Sequence, residues 1–192
     1  MNTYILIAGV NGTGKSSFRG VLEGQGVLMG HIVDADMIAK EHNFDNIKAG
    51  KSAIAEINYC LEHNISFTQE TTLAGHRTKR TVLQARKQGY NIVMYYIGLS
   101  SKDESLLRIE NRVRKGGHNI PASDVARRYE NRLNSLAEIA PLCDRIVFYD
   151  NENGFVKVAE ITNNKFRYTN GYKPNWIVEV HNHLKENCKI GD

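Results

Sequence analysis

The stretch Gly9-Val10-Asn11-Gly12-Thr13-Gly14-Lys15-Ser16 decides the fold, because it fits the phosphate-binding pattern GxxxxGK(S/T) without a mismatch. The pattern carries meaning only between a strand and a helix. Here the apolar run Tyr4–Ala8 precedes it and predicts a buried parallel strand, and the residues after Ser16 can begin a helix. This context predicts a nucleoside triphosphate site rather than an ordinary glycine-rich turn.

The residue types of this loop match the chemistry of phosphate binding. Its glycines allow successive backbone N–H groups to point at a β-phosphate from a helix N-terminus. We expect Lys15 to reach the β- and γ-phosphates and the Ser16 hydroxyl to ligate Mg²⁺. The residues expected to bind ATP here are Gly9, Asn11, Gly12, Thr13, Gly14, Lys15, Ser16 and Ser17.

Length and composition favour one α/β domain over residues 1–192, of which 41% are hydrophobic. No apolar run approaches the roughly 20 residues of a membrane span, and the N-terminus lacks the pattern of a signal peptide. We therefore expect a cytoplasmic protein that does not contact membranes. Three widely separated cysteines without a CxxC pair indicate neither a disulfide framework nor a zinc site.

Further strands alternate with helical segments along the chain. The predicted strands after the first are Val27–Val33, Ile65–Thr68, Tyr90–Leu99 and Arg145–Asp150. This order predicts a P-loop NTPase with a parallel five-stranded sheet and helices on both faces. From about residue 151 to 192 we expect an irregular extension, with short strands at Phe155–Ile161, Lys165–Thr169 and Trp176–Val180.

Polar side chains follow the second and third strands. Asp34 and Asp36 come after the second strand, at the edge of the sheet where ligand-binding loops converge. Either carboxylate could accept the proton of an attacking hydroxyl or hold Mg²⁺, and we favour Asp36, which could alternatively be a helix N-cap. Glu70 and Thr72 follow the third strand and could hydrogen-bond a substrate, or could simply belong to a polar loop.

An arginine-rich helical hairpin is predicted at about residues 104–132. Its arginines are Arg108, Arg112, Arg114, Arg127, Arg128 and Arg132. Such a face is often merely solvated, but phosphoryl transfer needs cations that stabilise the migrating charge. We therefore predict a lid that supplies at least one functional arginine. The net charge of +4 could also indicate nucleic acid, although the phosphate-binding loop favours the phosphates of a small ligand.

Several segments together carry a resemblance to a known family. They are Gly9–Ser16, Asp34–Ala39, Phe67–Leu73, Arg112–Pro121 with the following Arg127-Arg128-Tyr129, and Pro174-Asn175-Trp176. Through them the chain resembles the zeta toxin family of P-loop kinases, in its compact single-domain form. The resemblance covers about residues 1–150, and the three-residue segment beginning at Pro174 resembles the family's C-terminal end.

The resemblance implies a role for each matching residue. Lys15 and Ser16 would bind ATP and Mg²⁺, and Asp36 would be the catalytic base. Asp34, Glu70 and Thr72 would contact the acceptor. The arginines that would clamp the phosphates are Arg114 and Arg127, with Arg112 and Arg128 as close competitors.

The resemblance also implies a reaction and partners. Better-known members of the family phosphorylate the 3′-hydroxyl of the sugar in UDP-N-acetylglucosamine, so a nucleotide sugar is one candidate for a small-molecule hydroxyl acceptor. A small antitoxin protein is a candidate partner. Two alternatives stay open, a nucleotide-dependent ATPase or switch and a polynucleotide-end kinase. Nucleic acid is the less expected partner, because the sequence shows no basic surface interleaved with aromatic residues.

Overall fold

The fold is built on a mixed sheet of seven strands among the residues that the computed structural model describes, which are 1–34, 37–38, 46–117, 119–188 and 190–191. The strands are β1 (Thr3–Ala8), β2 (His31–Val33), β3 (Phe67–Thr71), β4 (Asn91–Gly98), β5 (Arg145–Asp150), β6 (Val156–Thr162) and β7 (Lys165–Tyr168). Their order across the sheet is β2-β3-β1-β4-β5-β6-β7. The first five pair in parallel, whereas β6 and β7 are antiparallel to their neighbours.

The C-terminal part corrects two expectations. The sheet is not a parallel sheet of five strands, because β6 follows β5 after the short turn 151–155, and so short a connection can only join antiparallel strands. The predicted short strands Phe155–Ile161 and Lys165–Thr169 are confirmed as β6 and β7, so the extension continues the sheet and is not irregular. Trp176–Val180, predicted as a short strand, instead lies in a helix that covers Asn175–Cys188.

Helices cover both faces of the sheet. They are α1 (Lys15–Gly24), α2 (Asn46–Glu62), α3 (Arg77–Lys87), α4 (Lys102–Arg114), α5 (Ala122–Glu130), α6 (Arg132–Ile139) and α7 (Asn175–Cys188). Alternate residues of β1 face opposite ways: Tyr4 and Leu6 belong to the larger hydrophobic cluster, while Ile5 packs with Phe18 and Leu22 of α1. None of the described helices combines the length and apolar character that crossing a lipid bilayer requires.

The arginine-rich hairpin consists of α4 and α5. The hydroxyl of Ser101 caps α4 by accepting a hydrogen bond from the backbone N–H of Glu104 at 3.1 Å. The helix ends at a turn in which Gly116 has φ 83° and the N–H of Gly117 donates to the carbonyl of Arg112 at 2.9 Å. The two predicted helices are present, and whether they close over a ligand stays a prediction.

A buried carboxylate ties α7 to the sheet. Asp150, at the end of β5, is 2% exposed and accepts hydrogen bonds from the indole Nε1 of Trp176 at 2.7 Å and the hydroxyl of Tyr172 at 3.2 Å. The indole lies where a side chain at position 98 would be, since a Cβ on Gly98 would approach the ring to 2.4 Å. The indole N–H therefore satisfies a charge that burial would otherwise leave short of donors.

Replacing this indole tests how much the bond contributes to stability. Trp176→Phe keeps an aromatic ring but removes the donor to Asp150, so we expect it to lower the free energy of unfolding by about 1–3 kcal/mol. Urea unfolding followed by circular dichroism measures the change. Val178→Ala, at a partly exposed position of the same helix, is the matched control, with an expected change within about 0.5 kcal/mol. Equal stability of the two variants would contradict the assigned role of the bond.

Candidate functional site

The phosphate-binding loop connects β1 to α1 and is packed too closely for side chains at its glycines. Gly9, Gly12 and Gly14 have φ values of 149°, 80° and 85°, which other residues rarely adopt. A Cβ at Gly9 would lie 2.4 Å from the carbonyl oxygen of Ile97 in β4, and one at Gly12 would lie 2.9 Å from that of Ser105 in α4. The predicted loop is therefore present, and it is wedged between the sheet and the arginine-rich hairpin.

Hydrogen bonds hold the loop in shape from three sides. Inside it, the Thr13 hydroxyl donates to the carbonyl of Val10 at 3.0 Å. From the β5–β6 turn, the Asn151 amide donates to the carbonyl of Thr13 at 2.9 Å. From α4, the Ser105 hydroxyl donates to the carbonyl of Asn11 at 2.5 Å. Side-chain donors therefore satisfy three carbonyl oxygens of the loop and hold its backbone in place.

Lys15 and Ser16 begin α1 at the mouth of the loop. The Lys15 ammonium donates to the carbonyls of Gly9 and Val10 at 3.0 and 3.1 Å, so it folds back over the loop. The Ser16 hydroxyl donates to Oε2 of Glu70 at 2.8 Å. A hydroxyl beside a carboxylate offers the hard oxygen ligands that Mg²⁺ prefers. The residues present therefore fit a phosphate and its divalent cation.

Two carboxylates stand beside this mouth at the ends of adjacent strands. Asp34 follows β2 and Glu70 lies near the end of β3, and their side chains are 6% and 8% exposed. Arg19 of α1 places Nη1 at 2.9 Å from an oxygen of each. Burial first, and then the nearby negative charge of Asp34, raise the pKa of Glu70, while Ser16, Arg19 and Lys15 act in the opposite direction. The surroundings of Glu70 therefore disfavour its charged form relative to an exposed carboxylate.

A cleft of about 1,170 Å³ brings most of the predicted residues together. It lies between the loop, the start of α3 and the hairpin, and the predicted residues that line it are Asn11, Gly12, Gly14, Lys15, Ser16, Ser17, Asp34, Glu70, Thr72, Arg112 and Arg128. Gly9 and Thr13 lie within the loop itself. Asp36, the residue predicted as the base, lies outside the described residues.

The four candidate arginines differ in their positions. Arg112 and Arg128 line the cleft, and Arg128 donates through Nη1 to Oδ1 of Asn11 at 3.0 Å, which joins α5 to the phosphate-binding loop. Arg114 pairs with Glu110 at 3.9 Å with its side chain 75% exposed. Arg127 is 60% exposed and lies 2.8 Å from Asp124. The roles of all four stay predictions, but only the first pair lines the described cleft.

Sequence reasoning missed three arginines near the cleft. Arg19 lies four residues after Lys15, a spacing that places both side chains on one helix face and was a usable signal. Arg77 and Arg80 lie in the first turn of α3 and line the cleft opposite the loop. Their spacing in the sequence matches that of an ordinary solvated helix, so no sequence signal distinguished them.

Comparison with known sequences identifies a family and a relative of this chain. The family model described as zeta toxin matches residues 2–160. An uncharacterized protein of Haemophilus influenzae is 32% identical over 133 residues, which is 67% of this chain and 93% of that protein.

Solved structures resemble most or all of the fold at low sequence identity. One from the PezAT chromosomal toxin-antitoxin system of Streptococcus pneumoniae has a TM-score of 0.59 at 16% identity, over 98% of this chain and 86% of that one. The structure of AvrRxo1-ORF1:-ORF2 with ATP has a TM-score of 0.65 at 15% identity, over 96% of this chain and 63% of that one. A chain of the Pnkp1/Rnl/Hen1 RNA repair complex has a TM-score of 0.53 at 19% identity, over 70% and 44%. At these identities the likeness shows a shared fold.

Proposed function

The chain belongs to the zeta toxin family and has the α/β fold of P-loop kinases, and on this premise we propose that it transfers the γ-phosphoryl group of ATP to a hydroxyl of a small molecule. One observation carries the proposal. A single cleft among the described residues is lined by the phosphate-binding loop, by the carboxylates Asp34 and Glu70, and by the arginines Arg112 and Arg128. These are the parts that phosphoryl transfer needs in one place.

ATP would occupy the loop side of the cleft. Its phosphates would accept hydrogen bonds from the loop N–H groups, and Lys15 would exchange the neutral carbonyls of Gly9 and Val10 for charged phosphate oxygens, which are the stronger partners. The Ser16 hydroxyl would hold Mg²⁺, which when bound neutralises charge on the phosphates. That exchange would release Ser16 from Glu70 and leave the Glu70 oxygen available to the acceptor side.

The acceptor would occupy the rest of the cleft. The cleft of about 1,170 Å³ extends from the loop to the start of α3 and the hairpin, which leaves room beside the phosphate-binding loop for an acceptor. In the proposal, Asp36 accepts the proton of the attacking hydroxyl, and Asp34, Glu70 and Thr72 orient the acceptor. A nucleotide sugar such as UDP-N-acetylglucosamine is the candidate that the family suggests. Arg77 and Arg80 would suit its phosphates.

A small antitoxin protein is proposed as a partner. The support is that the structurally similar PezAT protein comes from a toxin-antitoxin system.

The arginines of the hairpin give the proposal a sharp test. We expect Arg128→Ala to lower kcat by about 100-fold or more, because it removes a cation from the cleft together with the bond to Asn11. Arg127→Ala, one residue away on the exposed side, is the matched variant, and we expect a loss of less than about fivefold. Steady-state rates of label transfer from ATP measure both. A larger loss of kcat in Arg127→Ala than in Arg128→Ala would assign the phosphate clamp to Arg114 and Arg127.

The experiment that tests the function is transfer of radiolabel from [γ-³²P]ATP and Mg²⁺. The acceptors are a pool of nucleotide sugars and cell metabolites and, separately, an oligonucleotide with a free 5′-hydroxyl. A labelled small molecule is the expected result. Label found only in inorganic phosphate would favour an ATPase or switch, and a labelled oligonucleotide would favour a polynucleotide-end kinase.

A further inference from the structure

Arg19 bridges the two carboxylates of the cleft with one nitrogen atom. Its Nη1 lies 2.9 Å from Oδ2 of Asp34 and 2.9 Å from Oε1 of Glu70, and its side chain is 17% exposed. Two buried carboxylates this close repel each other unless a cation lies between them. The phosphate-binding pattern ends at Ser16, so it does not account for this arginine.

The remaining contacts of the two carboxylates lead into the site. Oε2 of Glu70 accepts a hydrogen bond from the Ser16 hydroxyl. Oδ1 of Asp34 accepts one from the backbone N–H of Met37 at 3.2 Å. Each carboxylate is thus held by Arg19 on one oxygen and by a second donor on the other, which is Ser16 of α1 for Glu70 and the Met37 N–H for Asp34. The arginine therefore links α1, β3 and the chain after β2 at one point.

Other charged and polar side chains also lie around the bridge. The charge of Lys15 acts on Glu70, and Glu23 of α1 lies 3.9 Å from Nε of Arg19. Met37 contributes only a weak contact from its sulfur to Nη2 at 3.9 Å. If Arg19 were neutral, the two carboxylates would move apart or take up new partners.

We propose that Arg19 is a positioning residue for phosphoryl transfer, which acts by fixing Asp34 and Glu70 as a pair at the acceptor side of the phosphate-binding loop. The proposal rests on the proposed function. We therefore expect Arg19 to affect the rate of transfer more than the binding of ATP. Its hydrogen bonds go to Asp34 and Glu70, whereas the carbonyls of the loop are contacted by Lys15.

Three variants separate positioning from general stability. Arg19→Gln is expected to lower kcat by about 100-fold, as a displaced catalytic arrangement does, with KM for ATP within about threefold of the wild-type value. Arg19→Lys is expected to restore kcat to within about tenfold, since one ammonium can donate to both oxygens as the single Nη1 does. Arg167→Gln, at an exposed position of β7, is the control and should match the wild type.

The outcomes discriminate between the proposals. Wild-type kcat in Arg19→Gln, or equal losses in both Arg19 variants with KM for ATP rising in parallel, would overturn the positioning role. Absence of transfer by the wild type itself would instead refute the proposed kinase function. In that case a crystal structure of Arg19→Gln tests whether Arg19 holds the two carboxylates together. Separated Asp34 and Glu70 carboxylates would support this role, and unmoved carboxylates would overturn it.

Discussion

Lys15→Ala is expected to reduce phosphoryl transfer by at least about 1,000-fold, the largest effect of a single change in the loop. The ammonium is the loop's only cationic side chain, and it already lies over the mouth of the loop through bonds to the carbonyls of Gly9 and Val10. Alanine removes the charge that would meet the β- and γ-phosphates. Both the affinity for ATP and kcat should therefore fall.

The measurement pairs label transfer with calorimetric titration of ATP in the presence of Mg²⁺. Lys51→Ala, at an exposed position of α2, is the matched control and should keep wild-type activity. The fold should survive the Lys15 change, because the hydrogen bonds that shape the loop come from Thr13, Asn151 and Ser105. Wild-type ATP affinity and transfer in Lys15→Ala would show that the loop is not the nucleotide site.

The sequence predicts the loop and the presence of the five parallel strands for a physical reason, although β2 begins four residues later than predicted and β3 is shifted to Phe67–Thr71. The glycine pattern has few alternative explanations, and strands buried on both faces give continuous apolar runs such as Tyr4–Ala8. The C-terminal helix was harder to predict from the sequence. Its helical spacing is visible only over the whole of α7, in the buried residues Trp176, Ile177, Val180 and Leu184. A window that stops at Val180 cannot distinguish a helix from a strand.

Helix geometry explains why the sequence could not rank the arginines. Arg112 and Arg114 are two residues apart and so point about 200° away from each other around α4, which means that only one can face the cleft. Which one does so depends on how α4 packs, and the contact between Gly12 and Ser105 decides it. The spacing of Arg19 from Lys15 was a usable signal, but its partners could not be predicted, because they lie at strand ends that only the folded sheet brings beside α1.

Asp36→Asn is expected to lower kcat by about 100- to 10,000-fold, with KM for ATP nearly unchanged. An amide has the shape of the carboxylate but cannot take the proton of the attacking hydroxyl. Asp34 is the less favoured base for a geometric reason. Asp34 already uses one oxygen on Arg19 and the other on the N–H of Met37, so it has little freedom to serve as a base.

Rates of label transfer with saturating acceptor measure this change, and Glu186→Gln, an exposed carboxylate of α7, is the charge-matched control with expected wild-type activity. Asp34→Asn provides the critical comparison. If Asp34 only orients its surroundings, its amide variant should lose less kcat than Asp36→Asn, because an amide oxygen still accepts from Arg19. Full activity of Asp36→Asn alongside an inactive Lys15→Ala would refute the base assignment. Glu70 would then be the next candidate, because it lies beside the phosphate-binding loop and burial and Asp34 raise its pKa.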